Sequence, residues 1–115
     1  MTDIDQFLPL SAAALHILIT LASEDRHGYG IMQEVAKQTD GKYKLGPGTL
    51  YDNLQKLLDH GLIEELNRKD KDDPRRRYYR LTSLGDRVVT AEIQRLESVF
   101  RKVKTHLQSM KPRRA

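Results

Sequence analysis

The sequence has no cysteine and no tryptophan, and its aromatic residues are five tyrosines and two phenylalanines. Without cysteine, disulfides, thiolate metal sites and thiol redox sensing are excluded, although the compartment stays open. Without tryptophan, an aromatic clamp for a ligand has little to be built from. Long apolar runs are scarce as well. Residues 7–23 are mostly apolar, but Asp3 and Asp5 precede them where a secretory leader carries Lys or Arg. Ser11 and His16 interrupt the stretch, and it is too short to span a bilayer. It reads as a buried helix in a cytoplasmic protein without membrane contact. His16, His27, His60 and His106 fall in four different segments without paired ligand spacing, so no metal is expected, and no other cofactor. No acid forms a constellation with His, Ser or a glycine-rich phosphate loop, and Gly46-Pro47-Gly48 lacks the Gly-Lys-Ser/Thr that such a loop needs. Nothing reads as an enzyme.

What the sequence does have is charge. Charged residues make up 31% against 38% hydrophobic ones, over 115 residues that fit one domain. The net charge is +4 and unevenly spread. Residues 68–80 hold seven Lys/Arg against three Asp, residues 101–115 hold six Lys/Arg and no acid, and the first 40 lean acidic. Such asymmetry is the electrostatic footprint of a polyanion binder.

Apolar periodicity predicts four helices. The first spans residues 11–23, with Ser11 as cap and Ala14, Leu15, Leu18, Leu21 and Ala22 as its stripe; 25–28 break it. The second spans 30–39 with Ile31, Met32, Val35 and Ala36 inward, and Gly41 stops it. In the third, 48–60, Leu50, Leu54, Leu57 and Leu58 line one side while Thr49, Asp52, Gln55, Lys56 and Asp59 point away. Three short helices, the third with a polar outward face, match the helix-turn-helix plan. Residues 62–66 and 77–81 read as strands of a hairpin around Asp72-Asp73-Pro74, with Arg75, Arg76 and Arg77 at its tip. A basic hairpin directly after a recognition helix is a wing.

The last helix spans 82–110, and Ser83 and Asp86 have capping-box spacing. Val89, Ile93, Leu96, Phe100, Val103, Leu107 and Met110 recur in steps of 4, 3, 4, 3, 4 and 3, the 3.5-residue repeat of a helix that packs along another. At about 40 Å it is too long for the small preceding body to cover. The expected fold is mainly α with a small β-hairpin. It divides into a winged helix-turn-helix over 1–81, a long C-terminal dimerisation helix over 82–110 and a basic flexible tail over 111–115.

Three stretches carry a family pattern: His27-Gly28-Tyr29-Gly30-Ile31; Lys44-Leu45-Gly46-Pro47-Gly48-Thr49-Leu50-Tyr51 with Leu54, Leu57 and Gly61-Leu62-Ile63; and Arg76-Arg77-Tyr78-Tyr79-Arg80-Leu81-Thr82 with Gly85. In these the sequence resembles the PadR-like transcriptional regulators over about residues 8–110, and looks like the branch with a single C-terminal helix. The resemblance implies a winged helix dimerised through that helix and acting as a repressor. Phe100 and its heptad neighbours read most simply as the dimer interface; the alternative is a pocket for a small-molecule effector between the paired helices, since some relatives bind aromatic compounds there. Asp52 departs from the pattern, where members more often carry proline, a basic residue or an apolar one.

In this reading Thr49, Gln55 and Lys56 face the major groove, Gln pairing with adenine and Lys donating to guanine or phosphate. A solvated helix face is the alternative. Asp52 opposes phosphates unless it accepts from a cytosine amino group or pairs with Lys56 one turn on, and the pair is favoured. Tyr29 and Tyr51 offer hydroxyls to phosphate or rings to the core. Lys42, Tyr43, Lys44 and Gly48 complete the DNA-binding set ahead of and at the start of the recognition helix. Arg75, Arg76 and Arg77 reach phosphate or the minor groove, partly offset by Asp70, Asp72 and Asp73. Arg80 reads as a structural strand residue. The expected function is a sequence-specific regulator bound to double-stranded DNA as a homodimer, at an inverted-repeat operator. A sequence-tolerant architectural nucleic-acid binder and a helical protein–protein adaptor are the rivals.

Overall fold

The computed structural model describes residues 3–67 and 73–109. Met110, the stretch 111–115 and residues 68–72, with Asp70 and Asp72, lie outside the described residues. After a single 3-10 turn (Ile4–Phe7) come α1 (Ala12–Ser23), β1 (Arg26–His27), α2 (Gly28–Gln38), α3 (Pro47–Asp59), β2 (Ile63–Leu66), β3 (Tyr78–Leu81) and α4 (Ser83–Ser109). The core joins one face of each element: Ile17 and Leu18 of α1, Ile31 and Val35 of α2, Leu50 and Leu54 of α3, Ile63 and Tyr79 of the sheet, and Val88 and Val89 of α4.

The helix ends follow local chemistry. Ser11 Oγ accepts from the Ala14 N–H at 3.1 Å and starts α1. α2 begins two residues before the expected Gly30, because His27 caps it: its Nδ1 accepts from the Gly30 N–H at 3.0 Å. At the end of α3, Gly61 takes φ +74°, and the Leu62 N–H reaches back to the Leu57 carbonyl at 3.0 Å. This left-handed stop turns the chain straight into β2.

The hairpin expected from the sequence is one side of a three-stranded antiparallel sheet of order β1-β3-β2. Ile63 pairs with Leu81 and Glu64 with Arg80, while Arg26 and His27 add the third strand opposite Tyr79 and Tyr78. The segment read as a plain break is therefore a short strand. It is fixed by Arg26, whose Nε donates to the Thr20 carbonyl in the last turn of α1 at 3.1 Å. Arg80 is structural, as expected: its Nε donates across the hairpin to Glu64 at 2.9 Å.

α4 is capped by Thr82 rather than by Ser83, the Thr82 Oγ1 accepting from the Gly85 N–H at 3.0 Å. Its first turns lie on the body, and Gly85 sits against the backbone of Leu62. Val89, expected at a dimer interface, is only 6% exposed and belongs to its own chain's core. The heptad pattern names a face of the helix but not where the body stops covering it. Beyond Glu92 the same face is bare: Ile93, Leu96, Phe100, Val103 and Leu107 are exposed, as is Val99 beside them. The radius of gyration, 17.1 Å, reflects this projecting helix, since a compact chain of this length has about 13 Å.

Glu92 is a buried charge that the sequence did not announce. It is 1% exposed, accepts from the Leu10 N–H at 2.7 Å and is paired with Arg95. The Arg95 hydrogen bond holds its carboxyl below the ordinary glutamate range; burial opposes this and the Leu10 N–H adds to it. As pH falls, the unfolded state takes up the proton first. The stabilisation is therefore whole above the ordinary glutamate range and is lost as pH drops through the lowered folded value. The melting temperature of Glu92→Gln is expected to fall less steeply than that of the native protein between about pH 6 and about pH 3. Parallel melting curves would take this role from Glu92.

Candidate nucleic-acid interface

The N-terminus of α2, the flank of α3 and the end of the wing enclose a cleft of about 380 Å³. Its walls are His27, Gly28 and Tyr29 on one side, Tyr51 and Tyr79 at the base, and Asp73 with Arg75, Arg76 and Arg77 opposite. Five of the residues singled out in the sequence, from three separate segments, thus meet at one place.

Tyr51 lies close against Gly28. A methyl group on Gly28 would lie 2.7 Å from Tyr51 Oη and 3.3 Å from Leu50 Cδ2, so only a bare α-carbon lets the phenol lie against the start of α2. Tyr29 and Tyr51 remain 56% and 52% exposed, so neither ring is spent on the core. Tyr79 is buried beneath them. Burial raises its hydroxyl pKa, with Glu65 and then Tyr51 adding to the effect against Arg77, so it stays a protonated donor.

The wing arginines carry carboxylates of their own. Arg75 Nε stands 3.5 Å and Arg76 Nε 4.0 Å from Asp73, and Arg77 Nε is 3.6 Å from Glu65. The Arg75 and Arg77 side chains are largely exposed. Pairs this long and wet contribute little, so a phosphate can take over the Arg75 and Arg77 guanidinium groups.

The outward face of α3 runs beside the cleft. Gly48, Thr49, Asp52, Gln55, Lys56 and Asp59 are all exposed on it. Lys56 Nζ pairs with Asp52 at 3.8 Å, as expected from their spacing, and Gln55 Nε2 donates to Asp59 at 2.9 Å. Pro47 opens the helix after Gly46, which supplies no side-chain cap. Orphan N–H groups at such an end suit an anion. In the preceding loop Lys42 and Lys44 are exposed, but the Tyr43 ring turns inward and stacks on His16, with centroids 4.8 Å apart. Of Tyr43, the ring is thus engaged within the fold.

The sequence pattern of the Transcriptional regulator PadR-like family matches residues 17–91. The chain belongs to this family. The matched PadR-like region runs from the middle of α1 to the first turns of α4 and contains every wall of the cleft. Similar proteins include the transcriptional regulator Rv3488 of Mycobacterium tuberculosis, 36% identical over 93 residues, which are 81% of this chain and 83% of that one. An uncharacterized protein of Lysinibacillus sphaericus is 38% identical over 69 residues, 60% of this chain and 63% of its own length. Among solved structures, a PadR family transcription regulator from Clostridium difficile superposes with a TM-score of 0.73 at 24% identity, over 84% of this chain and 99% of that one. Its likeness speaks for the fold. This PadR-like protein is accordingly a transcriptional regulator, and among its described residues no helix is long and apolar enough to cross a membrane.

Sequence reasoning missed His27, Gly28, Asp73 and Tyr79 as parts of the site. The first two had a signal: a side chain able to accept a hydrogen bond three positions before Gly30, then a glycine where a helix begins. Tyr79 had none, because its pattern is that of any inward strand residue.

Proposed function

We propose that the protein binds double-stranded DNA as a homodimer and represses transcription from an inverted-repeat operator, working in the cytoplasm where that DNA lies. One observation carries this: Tyr29, Tyr51 and the Arg75–Arg77 wing converge in a cleft beside the exposed polar face of α3. Tyrosine hydroxyls and guanidinium groups suit phosphate oxygens, and α3 presents its polar side chains as a helix in a major groove does. The bare face of α4 supports self-association. Its exposed residues Ile93, Leu96, Phe100, Val103 and Leu107 keep the 3.5-residue spacing beyond the body. Two such chains place two α3 helices on successive turns of the duplex and block polymerase sterically.

Selection from a pool of randomised duplexes is expected to enrich an inverted repeat with half-sites about 10 bp apart, or a small multiple of that. If the dimer neutralises about eight phosphates, log K falls against log salt with a slope near −7. Changing Arg75, Arg76 and Arg77 together to Ala should weaken binding to every sequence and flatten that slope by roughly one unit per lost contact. Equal affinity for selected and random duplexes favours the architectural reading. A slope near zero, or a wing variant that behaves as native, overturns the proposal.

A further inference from the structure

The outward centre of α3 is acidic, which backbone contact alone does not account for. A carboxylate turned toward a polyanion is repelled by all its phosphates, whatever the sequence. Asp52 is nevertheless on the side of α3 opposite the buried Leu50, Leu54 and Leu57, one turn after Gly48. Its side chain is 73% exposed, and its ion pair with Lys56 spans 3.8 Å between two wet side chains. Such a pair is worth little and exchanges readily. Asp52 is therefore free to serve another donor, while Lys56 turns to phosphate.

Gly48 points the same way. Apart from its two neighbours and the backbone of its own helix, no described atom lies within 4 Å of where its Cβ would be. Glycine is a poor helix residue, so nothing within the chain asks for it there. Its effect is to leave the approach to Asp52 open, since residues four apart stack on one face. A bare backbone followed one turn later by an exposed acceptor fits a surface that comes close to base edges.

The chemistry of the acceptor selects the base. An ionised carboxylate only accepts hydrogen bonds. In the major groove guanine presents two acceptors and thymine an acceptor and a methyl group, so both oppose it. Adenine offers an amino group, but the neighbouring N7 acceptor faces the second carboxylate oxygen. Cytosine offers its N4 amino group without an acceptor on its own ring edge. Resting on the DNA-binding reading above, we infer that Asp52 is a specificity-determining residue that accepts a hydrogen bond from a cytosine N4 amino group in each half-site. It gives up general affinity for discrimination between bases.

The test is parallel selection from randomised duplexes with native protein, Asp52→Asn and Asp52→Ala. Asp52 is exposed, so both variants should fold. The native consensus should carry one cytosine per half-site that becomes adenine with Asn, whose amide pairs with N6 and N7. With Ala, discrimination at that position should drop by about tenfold, the weight of one base contact. Random duplex should bind both variants more tightly than native protein, because one negative charge per chain is gone. Sequence-specific binding with an unchanged consensus in both variants overturns the assignment to Asp52 and leaves the DNA-binding reading standing. Failure of native protein to bind any duplex removes both.

Discussion

Replacing Gly85 with alanine is expected to lower the midpoint of thermal unfolding by more than about 10 °C. The direction is opposite to what helix propensity dictates, since Gly to Ala inside a helix ordinarily stabilises by about 1 kcal/mol. Here the added methyl group would lie 2.0 Å from the Leu62 carbonyl oxygen and 2.7 Å from Leu81 Cδ1. A leucine tip can rotate aside, whereas a backbone oxygen held in place cannot. That carbonyl already accepts from the Thr82 N–H at 3.1 Å. Room for the methyl therefore requires lifting the start of α4 from the turn that follows α3, a strain of about 3 kcal/mol or more at the upper end of overpacking costs. Scanning calorimetry reads the outcome directly, and an unchanged or raised midpoint would mean that α4 does not seat on Leu62.

Phe100→Asp should be as damaging to assembly as Gly85→Ala is to folding. Phe100 is 68% exposed and lies beyond the last buried residue of α4, so the charge should spare the body of each chain. On the face proposed to pair with a second copy, it would place two carboxylates in an apolar seam. Sedimentation should then report half the native mass. Operator affinity should fall by at least about a hundredfold, because the two half-sites are no longer bound as one unit. Leu96→Asp is the parallel case one turn closer to the body. A native mass for both variants would remove α4 as the interface.

Much of the architecture was legible because its signals are periodic. Leu50, Leu54 and Leu57 announce the buried face of α3, two short flanks around Asp72-Asp73-Pro74 announce the hairpin, and the 4-3 steps announce the stripe of α4. What stayed hidden depends on pairs distant in the chain or on segments too short for a period. β1 has two residues. The Tyr43 ring turns inward because His16 waits there, and a lysine–tyrosine–lysine run alone suggests three outward side chains. Glu92 reads as a surface acid until the Leu10 N–H is seen to need an acceptor. Tyr29, Tyr51, Arg75, Arg76 and Arg77 were singled out one by one in the sequence, but not their meeting in one cleft, nor the other four residues that line it. Tyr51 can lie where it does only because Gly28, from another helix, has no side chain.

The peptide groups around Leu62 join α3 to α4 across the hairpin that separates them in the chain. The Leu62 N–H closes the end of α3 on Leu57, its carbonyl receives the Thr82 N–H, and Thr82 Oγ1 donates to the Gly61 carbonyl at 2.7 Å before α4 departs. This is the fulcrum of a lever. Over the length of α4, about 40 Å, a tilt of about 10° at Gly85 displaces the far end by about 7 Å. In a dimer joined through α4, that displacement is about a fifth of the 34 Å between neighbouring half-sites. The spacing of an operator would then be written at Gly85 and Leu62, and its bases on the face of α3. A lineage could retune one without touching the other.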